Sequence, residues 1–251
     1  KADVLLMGGD YQEGCEYVEP LFAALSRVKT PMGTYGVMGN NDYERCHDEI
    51  VRTMKHYGMR VLEHEVDTLR KDGQQIIIAG VRNPFDLTHN GVSPTLALSP
   101  KDFVILLVHT PDYIEDVSVA NTDLALAGHT HGGQVRVFGV APVLNSHYGN
   151  RFLTGLAYNT AKIPLIITNG IGTSQLPIRI GAPAEVVMIT LHRLAGGDCK
   201  FVFIYSQAAG CRKYRISFPV SSALRINVEL ISNTGEWTRR TVSGNSSSFT
   251  G

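Results

Sequence analysis

Short apolar runs recur along most of this chain, at Val4–Met7, Tyr35–Met38, Ile76–Val81, Phe103–Val108, Leu124–Ala127, Pro164–Thr168 and Val186–Leu191. Several lack the alternation of a half-exposed strand, so they read as strands buried on both faces. Such strands need covering layers. Between the first two runs, Glu13–Val28 places Tyr17, Leu21, Ala24, Leu25 and Val28 at helical spacing, with Pro31 and Gly33 punctuating the return. Asp42–Tyr57 predicts a second helix, with Ile50, Val51, Met54 and Tyr57 on one face and Gly58 as its stop. Strands alternating with helix-length segments define an α/β protein.

With 251 residues, 43% of them apolar, the chain can bury a substantial core. Its 23 basic and 23 acidic residues cancel, which argues against a nucleic-acid binder that works by bulk electrostatics. No stretch approaches the roughly 18 apolar residues of a membrane span. The start, Lys1-Ala2-Asp3, has no signal-peptide pattern and reads as a beginning inside a domain, with a segment upstream missing. Cys15, Cys46, Cys199 and Cys211 form no Cys-x-x-Cys pair, so reduced thiols and a cytoplasmic setting are expected. Residues 1–193 read as the main domain. Residues 194–251 shift to a basic balance and read as an extra segment outside the core, with strand-like runs at Phe201–Tyr205 and Leu224–Ile231 and a disordered, Ser-rich end at Thr241–Gly251. Arg212, Lys213, Arg215, Arg239 and Arg240 are expected on a solvated surface, with an interaction segment that touches anionic lipid or a partner as the alternative.

Chemistry gathers where the apolar runs end. Gly8-Gly9-Asp10-Tyr11 follows the first run, Gly39-Asn40-Asn41-Asp42 the second, His109-Thr110-Pro111-Asp112 the run at 103–108, and Gly128-His129-Thr130-His131-Gly132-Gly133 the run at 124–127. In open α/β sheets the functional crevice lies at the carboxyl ends of strands. Each piece alone has a plainer reading: Gly-Gly-Asp as a turn, Asp42 as a helix cap, His109 as a satisfied core histidine. Four such clusters after four apolar strands do not fit independent turns. Oxygen and imidazole donors without thiolates suit Mn, Fe or Zn.

These motifs resemble the calcineurin-like metallophosphoesterases, over about residues 3–193. Thr110-Pro111-Asp112, Gly132-Gly133-Gln134, Asn169–Ser174 and Pro177-Ile178-Arg179 are similar to a bacterial subgroup of membrane-associated phosphodiesterases and UDP-diacylglucosamine pyrophosphatase-like enzymes. The resemblance implies an α/β/β/α sandwich of two sheets with two divalent ions at the strand ends. Asp10 would bridge the ions, Asn40, His109 and His129 would complete one, and His131 would belong to the other. A hydroxide held between them would attack a phosphoester or phosphoanhydride. Arg179 is a candidate for substrate binding or for capping a strand end. The implied substrate is a small phosphorylated or nucleotide-linked lipid-type molecule, met by a cytoplasmic protein in peripheral contact with the membrane.

Two departures separate this chain from the family pattern. No Asp-x-His occurs anywhere in it, so the second ion lacks its usual ligands and one tight ion is expected. Asn41 stands where the pattern has a histidine that contacts phosphate or protonates the leaving group, and an amide cannot give up a proton. Asp42, which would orient that histidine, loses its partner. Both departures leave open a second reading, a degenerate metal- or phosphate-binding module with little turnover. His47, His56, His64, His89, His147 and His192 read as surface or structural, with His147 the one to test as a substitute acid.

Overall fold

The structure, a computed structural model, describes residues 2–71, 73–193, 198–204, 215–221 and 224–231, with backbone alone from 192 onward. In chain order the strands are β1 (Val4–Met7), β2 (Thr34–Gly36), β3 (Arg60–Val61), β4 (Val66–Lys71), β5 (Gln74–Gly80), β6 (Val104–Leu107), β7 (Leu124–Ala127), β8 (Gly155–Tyr158), β9 (Pro164–Ile167), β10 (Val186–Arg193), β11 (Asp198–Ile204), β12 (Arg215–Ser221) and β13 (Leu224–Ile231). The α-helices are α1 (Val18–Leu25), α2 (Asn40–Arg45), α3 (His47–His56), α4 (Leu87–Asn90) and α5 (Tyr113–Asp116).

The strands form two sheets, ordered β12-β13-β10-β11-β1-β2-β3 and β4-β5-β6-β7-β9-β8. Parallel pairing runs through β1–β2–β3 in the first sheet and β5–β6–β7–β9 in the second. Val4, Leu6 and Tyr35 of the first sheet pack against Ile78, Ile105, Leu107, Leu126 and Ile166 of the second, forming the inter-sheet core. The intervening residues face outward into helices, because successive strand side chains point to opposite faces. Leu5 and Met7 meet Val18 and Phe22 of α1 and Ile50 and Met54 of α3. Val104, Leu106 and Ala125 meet Tyr113, Ile114 and Phe152. This is the α/β/β/α sandwich, and the double covering explains why the apolar runs do not alternate.

Both expected helices are shorter than their periodicity suggested. The first is a 3-10 turn at Cys15–Tyr17 followed by α1, with Pro20 in the first turn where its missing N–H is not needed. The second splits at Cys46, whose φ of −128° leaves the helical region. Cys46 is bonded to Cys15 in a disulfide with a Cα–Cα distance of 5.6 Å. The expectation of reduced thiols throughout is therefore corrected: the fold brings together two cysteines that sequence spacing keeps apart.

The sheet also continues past the boundary expected at residue 193. β11 pairs parallel with β1 and antiparallel with β10, placing backbone from the last segment beside the strand that leads to Asp10. The expected separation of 194–251 from the core is not a boundary of this sheet. The Ser-rich end and Arg212, Lys213, Arg239 and Arg240 lie outside the described residues. Among the described residues, no helix is long and apolar enough to cross a membrane.

Candidate metal centre and active-site cavity

Asp10 lies just beyond β1 with φ at 52°, a left-handed conformation that persists in a non-glycine residue only where its surroundings enforce it. The enforcing group is Asp42. Its buried carboxylate accepts hydrogen bonds from the backbone N–H of Asp10 at 2.7 Å, Tyr11 at 3.0 Å and Gly39 at 2.9 Å, joining the turn after β1 to the start of α2. Burial first, then the nearby Asp10 charge, pushes the Asp42 carboxyl up to about 7. These contacts make Asp42 a brace for the backbone around Asp10. The two segments approach so closely that a Cβ on Gly39 would sit 2.1 Å from Asp10 Oδ1 and 2.5 Å from His109 Cε1.

His109 follows β6 and is fully buried. Its Nδ1 lies 2.8 Å from the Gly8 carbonyl oxygen, to which it donates. Its Nε2 faces Asn40 Oδ1 at 3.2 Å, His129 Nδ1 at 3.0 Å and Asp10 Oδ2 at 3.5 Å. Ligand atoms of Asp10, His109 and His129 all lie within 4.8 Å of one another. Burial and then the His109 charge lower the His129 pKa to about 3, leaving that ring neutral with a lone pair to offer. Burial alone would raise the Asp10 carboxyl, but attraction and hydrogen bonding to His109 hold it far below the ordinary range. Burial likewise opposes a charged His109, yet Asp10 outweighs it and draws the ring's pKa up.

The residues fit a cation. Two oxygens and two imidazole nitrogens converge on one point, and the pull of Asp10 on a His109 proton shows that the point favours positive charge. A divalent ion held here would supply that charge, with Nε2 of a neutral His109 available to it. Asn40 belongs to this set. Asn41 is spent on Asp10, donating its backbone N–H to Oδ1 and its side-chain Nδ2 to Oδ2, both at 3.0 Å.

His131 stands outside that group of three. Its ring donates to the Gly172 carbonyl, and its Nδ1 lies 3.5 Å from Arg179 Nη2. Burial and then the Arg179 charge lower its pKa to about 4. Arg179 Nη1 donates to the carbonyls of His131 and Ala182, each at 3.0 Å, and Nη2 donates to that of Asn169 at 2.8 Å. The guanidinium is thus committed to loop backbone and clamps the turn that carries His131.

A family model described as calcineurin-like phosphoesterase matches residues 1–133, which include the Asp10, Asn40, His109 and His129 motifs. The chain belongs to this family. Relatives include an uncharacterized metallophosphoesterase, YkuE, of Bacillus subtilis, 29% identical over 197 residues that cover 76% of this chain and 68% of the relative. YpbG of the same organism is 31% identical, over 75% of this chain and 70% of the relative. The phosphodiesterase YaeI of Escherichia coli is 31% identical, over 76% and 71%. No solved structure matches. The chain is accordingly a metal-dependent phosphoesterase.

The phosphoesterase cavity opens beside the ligand cluster and encloses about 540 Å³, lined by Asp10, Asn40, Asn41, His129 and His131 among others. Arg179 is not among its lining residues. Three further features shape the site. Phe85, 47% exposed, places its ring centroid 5.1 Å from that of His129 and 6.0 Å from that of His109, covering both at the cavity mouth. Buried Asp112 accepts from Ser146 Oγ at 2.5 Å and from the His147 N–H at 2.8 Å, fixing a loop across the cavity. Buried Glu185 accepts the backbone N–H of Asn169 at 2.8 Å, anchoring one of the carbonyls held by Arg179. Of these residues, the sequence motifs include Asp112, Asn169 and Arg179, and His147 is the candidate substitute acid, while Phe85, Ser146 and Glu185 carry no sequence signal.

Proposed function

We propose that the chain hydrolyses phosphodiesters or phosphoanhydrides, using a divalent ion held by Asp10, Asn40, His109 and His129. The convergence of these four side chains on one point, within a family of phosphoesterases, carries the reading. Such an ion, when bound, activates water near neutral pH and offsets charge on phosphoryl oxygens. The protein's part is to hold Asp10 ionised through His109 and Asn41, to orient it through Asp42 and Asn41, and to keep His129 unprotonated. Mn, Fe and Zn all suit this donor set. A second ion would draw on Asp10 and His131, and the hold of Arg179 and Gly172 on His131 supports a weaker second site.

Position 41 supplies no proton to a leaving group, because the Asn41 amide is engaged with Asp10. An alkyl phosphomonoester expels a strongly basic alkoxide, whereas an anhydride or aryl ester leaves with metal assistance alone. The exposed apolar side chains Phe85, Leu87 and Leu144 at the cavity support a substrate with an apolar portion, such as a nucleotide-linked lipid. Val137, Phe138, Val140 and Val143, all more than half exposed, continue from Leu144 and support peripheral contact with a membrane. The Cys15–Cys46 disulfide favours an oxidising compartment over the cytoplasm.

The test is turnover of bis(p-nitrophenyl) phosphate and of a nucleotide-linked pyrophosphate by the Mn-loaded chain, alongside His129→Ala. Metal-dependent hydrolysis that is lost in the variant supports the reading. Metal bound without turnover of either substrate supports the binding-module reading, which the separation of His131 from the ligand cluster favours.

A further inference from the structure

We infer that His147 is the proton donor to the leaving group, taking the part that Asn41 cannot play. This rests on the hydrolase reading above and adds a catalytic residue to it.

Four observations converge. Asn41 has no acidic proton, and its amide is engaged with Asp10 at 3.0 Å, so position 41 positions the carboxylate. His147 lines the same cavity as Asn41 and the ligands Asp10 and His129. The imidazoles of His129 and His131 also line it, but one belongs to the ligand cluster and the other is held by Arg179 and Gly172. His147 is the remaining lining imidazole among the described residues. Its loop is also held in place. Asp112 grips Ser146 Oγ and the His147 N–H, and Tyr148 Oη donates to Asp116 at 2.6 Å. Residues 146–148 are therefore fixed from α5 and its cap, while His147 stays exposed to solvent, from which a proton can be replenished. Positioning of this kind is what a general acid requires. The charged and titratable groups sharing its cavity are Asp10, Asp112, Tyr113, Asp116, His129 and His131, and the Tyr113 hydroxyl is buried and donates to the Asn90 carbonyl at 2.9 Å.

In the step, a bond forms from a water oxygen to phosphorus as the bond from phosphorus to the leaving oxygen breaks. The His147 imidazolium gives its proton to that leaving oxygen, producing an alcohol. The proton lost by the attacking water goes to solvent and from solvent restores the imidazolium, so atoms and charge balance.

The experiment compares the Mn-loaded chain with His147→Gln and with the double variant His147→Gln, Asn41→His, on an alkyl and a p-nitrophenyl phosphodiester across pH. His147→Gln should lower kcat for the alkyl ester by about 100-fold, the lower end of the range for general acids, and remove the basic limb of its pH profile. The p-nitrophenyl ester, whose leaving group needs no proton, should change less than about threefold, and Asn41→His should restore part of the alkyl activity. Equal losses on both esters, or no loss on either, overturn the assignment. Absence of turnover by the parent on both esters overturns the hydrolase reading itself. Phosphate titration of the Zn-loaded, ¹⁵N-histidine-labelled chain then decides the placement alone: ring resonances of His147 that move with inorganic phosphate retain it beside the phosphoryl position, and unmoved resonances overturn it.

Discussion

The His109 imidazole donates to the Gly8 carbonyl oxygen at 2.8 Å, across 101 positions of sequence and from one sheet of the sandwich to the other. That bond fixes which nitrogen of His109 faces Asp10, Asn40 and His129. The candidate metal site is therefore a product of how the two sheets are registered against each other, and the arrangement of its side chains depends on the inter-sheet core.

Metal content gives the first check. The chain should retain close to one equivalent of Mn or Zn through gel filtration, measured by elemental mass spectrometry, and His129→Ala should lose most of it. Two retained equivalents would show that His131 and Asp10 hold a second ion firmly despite the Arg179 contact.

Gly39→Ala should damage the site more than the fold. A Cβ there lies 2.1 Å from Asp10 Oδ1, so the carboxylate must shift away from the ligand point. Metal affinity should fall by at least about tenfold, comparable to the loss of a group that orients a ligand. Calorimetric titration reads this directly, and an unchanged affinity would contradict the close approach.

Acid sensitivity of the metal-free chain should reflect His131 as well as His129. The pKa of His131 is 6.5 unfolded and about 4 in the fold, so the neutral ring favours the folded state above pH 6.5. That stabilisation is lost as pH falls through about 4, and it amounts to ~3 kcal/mol at most. Denaturant unfolding with EDTA, followed from pH 7 to 4, should show a shallower decline for His131→Gln than for the parent. Parallel curves would rule out His131 as a cause.

Arg179→Lys should loosen the turn carrying His131, because an ammonium cannot reproduce a planar fork spread over three carbonyls. A loss of about 1–3 kcal/mol of stability is expected. KM for p-nitrophenyl substrates should stay within about twofold, since only a group that binds phosphate contributes to ground-state affinity. A large rise in KM with unchanged stability would instead place the guanidinium on the substrate.

The disulfide should stabilise the fold measurably. Closing a loop with a sequence separation of 31 is worth about 3–4 kcal/mol on the chain-entropy account. Cys15→Ser with Cys46→Ser should lower Tm, and reducing agent should then have no further effect. An unchanged Tm would show the bridge to be energetically idle.

Legibility in the sequence followed burial. β1, β6, β7 and β9 announced themselves because helices and a second sheet cover both faces, leaving uninterrupted apolar runs. β4, β8 and β12 did not, because they are edge strands, and an edge carries polar residues such as Asp67 and Arg70 in β4 that suppress both the pattern and unwanted pairing. That Asp10, Asn40, His109 and His129 lie together was readable from their place after strands. The partners of Asp42, Arg179 and Asn41 were not, since each depends on contacts made across the fold. Cys15 and Cys46 gave no sign for the same reason: whether two cysteines can bridge depends on Cα separation, which sequence spacing does not reveal.

The Cys15–Cys46 bond encloses α1, β2 and the Gly39–Asp42 turn in a covalent ring whose outer rim is the exposed stretch Arg27–Lys29. A trypsin-like protease that nicks the ring at that rim would leave both cut ends attached to the same molecule. Asn40 would stay tethered to the turn that bears Asp10, and only nicking followed by reduction would release the two halves of the ligand set from each other on that side.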